Sequence, residues 1–139
     1  MNFQPIPEDI RFLQQEVLQA GASLRALPAF AEVDDALQAQ LLEEAGRFVG
    51  EVIAPLNRSG DETGAHWDNG EVRMPPGFKE AYQAFVDAGW PALSAPTEDG
   101  GQGLPAALDA VLYEWLSAAN HGFTMAPGLL HGAYECIRH

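Results

Sequence analysis

Seventeen residues, Gly89-Trp-Pro-Ala-Leu-Ser-Ala-Pro-Thr-Glu-Asp-Gly-Gly-Gln-Gly-Leu-Pro105, constrain this chain more than any other part of it. Three prolines and four glycines fall within them. Proline lacks the N–H that a helix or ladder needs, and glycine loses more backbone entropy on ordering than other residues do. No regular element can run through such a stretch, so two elements must end and begin there. Gly89 is placed to close a helix in the left-handed conformation, with Trp90 as a hydrophobic lock on the last turn. Glu98-Asp-Gly-Gly-Gln-Gly103 can take backbone angles that side-chain-bearing residues avoid. Pro105 suits the first position of a new helix, where its missing N–H would be unpaired in any case. The stretch predicts a tight connection between two packed helices.

Apolar spacing predicts helices on both sides of it. Ile10, Leu13, Val17 and Leu24 share one face of a first helix from Pro7 to about Ala20, with Glu8 and Asp9 at its positive end. Gly21 and Pro28 close it, so residues 1–30 read as an N-terminal extension helix ahead of a domain over 31–139. Asp34 or Asp35 caps the clearest helix, whose stripe runs Leu37, Leu41, Leu42, Ala45, Phe48, Val49, Val52, Ile53 and Leu56. Glu43–Arg47 and Arg47–Glu51 are at pairing distance on its solvated face. Pro55 should kink or end it, leaving Leu56-Asn-Arg-Ser-Gly60 as its exit. Asn69-Gly70 signals a hairpin turn, and so short a ribbon needs support, for which Trp67 is the candidate anchor.

Pro76 opens a third helix carrying Phe78, Tyr82, Phe85 and Val86. Pro105 opens a fourth, striped by Leu108, Val111, Leu112, Trp115 and Leu116, which ends at Asn120-His-Gly122. A fifth starts from a Thr124 cap and stops at His139 with Ile137 still in phase, the pattern of a truncated chain. The expected fold is all-α: a small bundle of about five helices with a short β-hairpin-like excursion.

Twenty acidic residues against seven basic ones give a net charge of -13, which would repel a phosphate backbone and argues against nucleic-acid binding. The same charge implies that this segment would not grip the phosphates of a nucleotide-bearing substrate. Absence of a signal-peptide pattern or an apolar run of membrane-spanning length, together with one cysteine, fits a cytoplasmic protein.

Chemistry-bearing patterns are sparse. Gly101-Gln-Gly103-Leu-Pro-Ala106 matches a dinucleotide fingerprint in spacing, but such a site needs a buried strand before it and a second strand after the helix. Ala92-Leu-Ser-Ala-Pro96 is broken by proline and a helix follows, so a helix connection is favoured. His131 and Glu135, four apart, could hold two metal ligands, yet no third ligand is near in sequence. Cys136 has no adjacent base and reads as a buried, inert thiol. Ser23, Ser59, Ser94 and Ser117 lack a nucleophile-elbow context. Gly128 and Gly132, with Met125 and Cys136, make a helix face almost without bulk. That face fits either close packing of a neighbouring helix or passage of a slender ligand such as an acyl chain, the packing use being the commoner one.

Several of these motifs together resemble a known family. Phe48-Val-Gly-Glu-Val-Ile-Ala-Pro-Leu-Asn-Arg58, the Gly89-Trp90 turn, Pro96-Thr-Glu-Asp-Gly-Gly-Gln-Gly-Leu-Pro105 and the paired helices after it resemble the N-terminal helical domain of acyl-CoA dehydrogenases. The extra first helix and Gly70-Glu-Val-Arg-Met-Pro75 resemble the subfamily with an N-terminal extension, which includes 3-methylmercaptopropionyl-CoA dehydrogenases.

The resemblance implies an enzyme that converts an acyl-CoA thioester into the trans-2-enoyl-CoA with FAD. In that family FAD is held mainly by a middle β-domain and a C-terminal helical bundle, and the catalytic glutamate belongs to the latter, so no catalytic or cofactor-binding residue carries over here. What carries over is part of the acyl-chain wall, at Pro127, Gly128 and His131 with Phe123 and Met125 at its entrance; the family often has a polar residue where Pro127 stands. Electron-transfer flavoprotein as partner and a homodimer or homotetramer are also implied. A different class of function, a stand-alone helical interaction module without flavin or catalysis, is the alternative.

Overall fold

The structure, a computed structural model, describes residues 3–138; Met1 and Asn2 of the expected extension and His139 of the expected fifth helix lie outside them. The described chain is all-α apart from one hairpin.

The expected first helix is two pieces. Helix α1, Pro7–Arg11, runs on as a π-helical turn, Phe12–Val17, and breaks at Gln19, whose φ of 49° is left-handed. A π turn adds a residue per turn, so Leu13 and Val17 leave the face of Ile10 and are exposed, while Ile10 and Phe3 pack on the core. Helix α2, Ala20–Arg25, contains Gly21 rather than ending at it.

Asp34 is the cap of helix α3, Asp35–Phe48: its carboxylate accepts the Leu37 N–H at 2.7 Å. A second π turn, Val49–Ile53, prolongs α3 and leaves both of those residues without exposed surface. Arg47 pairs with Glu44, not with Glu43 or Glu51 as the four-residue spacing suggested. Pro55 does not release the chain into a loop. It precedes a further helix, α4, Leu56–Thr63, a place where its missing N–H is harmless.

Strands β1, His66–Asp68, and β2, Glu71–Arg73, pair antiparallel with Trp67 opposite Val72. Asn69 and Gly70 both have positive φ, as a two-residue hairpin turn needs. Trp67 is 74% exposed, so it is not the anchor the sequence suggested. The ribbon's hold on the bundle comes after it, at buried Pro75.

Helix α5, Phe78–Asp87, starts after Gly77 rather than at Pro76 and closes at Gly89, φ 77°. Trp90 is buried against the Phe48 ring, centroids 6.1 Å apart. The loop that follows folds back on itself: Gln102 N–H donates to Ala92 O, Gly103 N–H to Ala95 O and Leu104 N–H to Leu93 O. Any Cβ on Gly101 would fall onto the carbonyl of Ala95, so only glycine fits there.

Helix α6, Ala106–Arg138, kinks at Asn120 (φ -159°, ψ 86°), which divides it into limbs 106–119 and 121–138. Asp109 and His131, eleven residues either side of the kink, stand 3.7 Å apart. At 1.5 Å of rise per residue such a contact requires the limbs to run back along each other. Phe85, Ile53, Leu112, Leu116 and Val49 form the centre of one core shared by α3, α5 and the first limb. No helix among the described residues is long and apolar enough to cross a membrane.

Candidate functional site

The kink is built by one buried side chain. Asn120 Oδ1 accepts the Phe123 N–H at 3.0 Å and caps the second limb; its Nδ2 donates to Ile53 O at 3.5 Å. The expected cap, Thr124, instead donates its hydroxyl to Asn120 O at 3.1 Å. A helix start leaves N–H groups unpaired, and asparagine satisfies one here while also reaching the end of the π turn after α3.

The residues expected to form an acyl wall divide between three surroundings. Phe123 is buried among Phe78, Tyr82 and Phe85, with its ring edge-on to Phe85 at 6.0 Å. It also lines an open apolar groove of about 850 Å³, together with Val72, Met74 and Ala126. Met125 is exposed on the outer side of the second limb, with Leu129, Leu130 and Ile137. Pro127, Gly128 and His131 face the first limb. There the Tyr113 hydroxyl donates to Pro127 O at 3.3 Å, the Tyr113 and His131 rings lie 5.7 Å apart, and the nearest atom to a Cβ on Gly128 would be Tyr113 Cε1 at 4.0 Å.

Behind these residues sits a carboxylate that the sequence reading passed over. Asp109 is buried; Ser94 Oγ donates to its Oδ2 at 3.1 Å, and His131 Nδ1 faces the same oxygen. Burial pushes the Asp109 carboxyl up, against the opposing pulls of the Ser94 hydrogen bond and His131. Burial, with Asp109 close by, pushes the Tyr113 phenol up to about 12, so it stays a neutral hydrogen-bond donor. The signal was legible: Asp109 lies in phase with Leu112 and Leu116 on the buried stripe, where a charged residue is unusual.

His131 thus turns toward Asp109, and among the described residues no group of three His, Cys, Asp or Glu side chains is placed to hold a metal ion. Cys136 is exposed, not the buried thiol expected. The glycine loop is no pyrophosphate cradle. Its amides at Gly100, Gly101, Gln102 and Gly103 donate to the carbonyls of Thr97, Pro96, Ala92 and Ala95, whereas a phosphate-binding loop needs such groups aimed at the ligand. Those four amides are therefore not free to hold the pyrophosphate of FAD.

Residues 35–139 match the sequence model of the acyl-CoA dehydrogenase N-terminal domain. This chain belongs to the acyl-CoA dehydrogenase family. Across 99% of its length it is 42% identical to 3-methylmercaptopropionyl-CoA dehydrogenase of Ruegeria pomeroyi, of which it spans 23%. The helical bundle with its small hairpin is the acyl-CoA dehydrogenase N-terminal domain, and the resemblance read from the glycine loop and its flanking helices is established by this match.

Proposed function

We propose that this chain is the helical N-terminal part of an FAD-dependent acyl-CoA dehydrogenase that oxidises an acyl-CoA thioester to the trans-2-enoyl-CoA. The observation that carries the reading is the family match over residues 35–139. In this reading residues 1–30 are an N-terminal extension and 31–139 the helical domain. FAD and the catalytic base are supplied by other parts of a longer polypeptide, in keeping with a chain that spans 23% of its relative. A short acyl group such as 3-methylmercaptopropionyl is the substrate that this relative's name suggests.

The contribution of these residues is to shape and exclude. Phe123, Met125, Pro127, Gly128 and His131 supply part of the acyl-chain wall, and Gly128 keeps the second limb free of bulk where the chain passes. Exposed Leu129, Leu130 and Ile137 would be covered by the remaining domains. Electron-transfer flavoprotein as acceptor, a homodimer or homotetramer and a cytoplasmic location complete the reading.

The test is to purify the whole polypeptide, measure its flavin by absorbance, and follow acyl-CoA-dependent dye reduction with mass detection of the enoyl product. Residues 1–139 alone should be colourless. A whole polypeptide without flavin and without turnover on any acyl-CoA would leave the interaction module as the better account.

A further inference from the structure

We propose that the apolar groove between the ribbon and the start of α5 binds a small amphiphile with one carboxylate, its head on Lys79 and its apolar body against Met74 and Phe123. The groove has a volume of about 850 Å³, within the roughly 300–1,000 Å³ of ordinary ligand sites. Its floor is apolar. Val72 and Met74 come from the ribbon and its exit, Phe78 and Tyr82 from α5, and Phe123 and Ala126 from the second limb of α6. Val72 and Met74 are exposed, so a tail that covers them takes apolar surface out of water on both sides of the contact. Pro127, Gly128 and His131 do not line the groove, and Phe123 alone belongs both to it and to the acyl wall proposed above. The inference does not rest on that wall.

One charge on the lining has no partner. Lys79 is the only lysine of the chain. Arg25, Arg47, Arg58 and Arg73 each pair with an acid. With 20 acidic residues against 7 basic ones, an unpaired cation is unexpected, yet among the described residues the Lys79 side chain makes no ion pair or hydrogen bond. Gln83, also on the lining, is engaged with Asp87 at 2.7 Å. Glu80 follows Lys79 directly, and consecutive residues point about 100° apart around a helix, which leaves Lys79 open to a head group on its far side. A lysine stem lies along apolar surface while its ammonium stays in water. Such a group at the mouth of an apolar groove selects a carboxylate whose tail is driven from water. The net charge of -13 sets the same limit, since a polyphosphate would find one cation here and repulsion beyond it.

The test uses the whole polypeptide, isotope-labelled at its methionine methyl groups and titrated with monomeric dodecanoate, dodecyltrimethylammonium and dodecanol. Met74 lines the groove, whereas Met125 is exposed on the outer side of the second limb and does not, so their signals tell the groove from the acyl wall. Met74→Leu and Met125→Leu assign those signals. Dodecanoate should move the Met74 signal, leave that of Met125 in place, and bind more tightly than the cationic amphiphile. Lys79→Met, which keeps the stem, should weaken dodecanoate about two- to fivefold, the span of an exposed ion pair, and leave dodecanol as it was. Ala126→Phe, at an exposed position, fills the groove and should abolish the Met74 response to both. A Met74 signal that dodecanoate does not move in folded protein, a response confined to Met125, or equal dodecanoate affinity in wild type and Lys79→Met each overturns the proposal. So does a Met74 response to phosphatidylserine vesicles without one to monomeric dodecanoate, which would make the groove a lipid-surface contact. Acyl-CoA turnover is not among the readouts, so failure here leaves the proposed function standing.

Discussion

The Tyr134 hydroxyl donates to Asp99 Oδ2 at 2.6 Å, joining the far end of α6 to the glycine loop. Asp99 raises the phenol's pKa through this bond, so the donor is retained at neutral pH. Both residues lie at the surface, where a hydrogen bond contributes little to global stability. Tyr134→Phe should speed amide exchange at Gly100 to Gly103 and leave the melting temperature nearly unchanged. Unaltered exchange at those amides would show that the loop's own hydrogen bonds hold it unaided.

Asn120→Ala removes a cap and strands the Phe123 N–H and the Ile53 carbonyl in the core. Cap losses run to about 0.5–2 kcal/mol and an unpaired buried group adds about 1–3 kcal/mol. A loss of about 2 kcal/mol or more is expected from urea unfolding. A loss under about 0.5 kcal/mol, at the floor of measured cap effects, would mean that the backbone reverses without help from this side chain.

Asp109 gives the chain a pH dependence of definite sign. Desolvation raises its folded-state pKa above the unfolded value, so the folded state binds the proton to higher pH. Stability should then fall as pH rises from the ordinary carboxylate range through the raised folded pKa. Asp109→Asn, which can still accept from Ser94, should flatten that slope in unfolding measurements across the same range. A slope as steep in the variant as in wild type would assign it to other groups.

Gly128→Leu separates packing from passage in the whole enzyme. Leucine is the better helix former by up to about 1 kcal/mol, so any loss must come from volume against Tyr113. If the residue lines the acyl channel, kcat/KM should fall for the longer substrates the enzyme accepts and spare the shortest. Equal loss across the series with a lowered melting temperature would return Gly128 to helix packing alone.

Features set by local chemistry were legible in the sequence. Gly89, Trp90 and the Asn69-Gly70 turn each need one backbone conformation or one burial, and each is found where expected. What hid was phase and reversal. The π turns at Phe12–Val17 and Val49–Ile53 change which residues share a face, and apolar spacing read at a fixed period cannot register that. Asp109 and Tyr113 sit four apart on the first limb, yet nothing local says that the second limb returns over them. That depends on Asn120, whose partner at Ile53 is sixty-seven residues away. Gly128 stood out on a face without bulk and His131 by its spacing to Glu135. Only family likeness put them in one expected wall, and only the fold set the Tyr113 ring beside them.

The exposed hairpin has an optical consequence. Trp67 is 74% exposed, whereas Trp90 and Trp115 are 7% and 4% exposed. Of the chain's three indoles, one therefore emits from water and two from the core. Anything that settles over β1 and β2 would blue-shift or shield the first, as an iodide quench would register, without disturbing the other two. Unfolding would red-shift the buried pair and leave Trp67 as it was. The protein thus carries separate fluorescent reporters for docking at the ribbon and for the integrity of the bundle, with no label added.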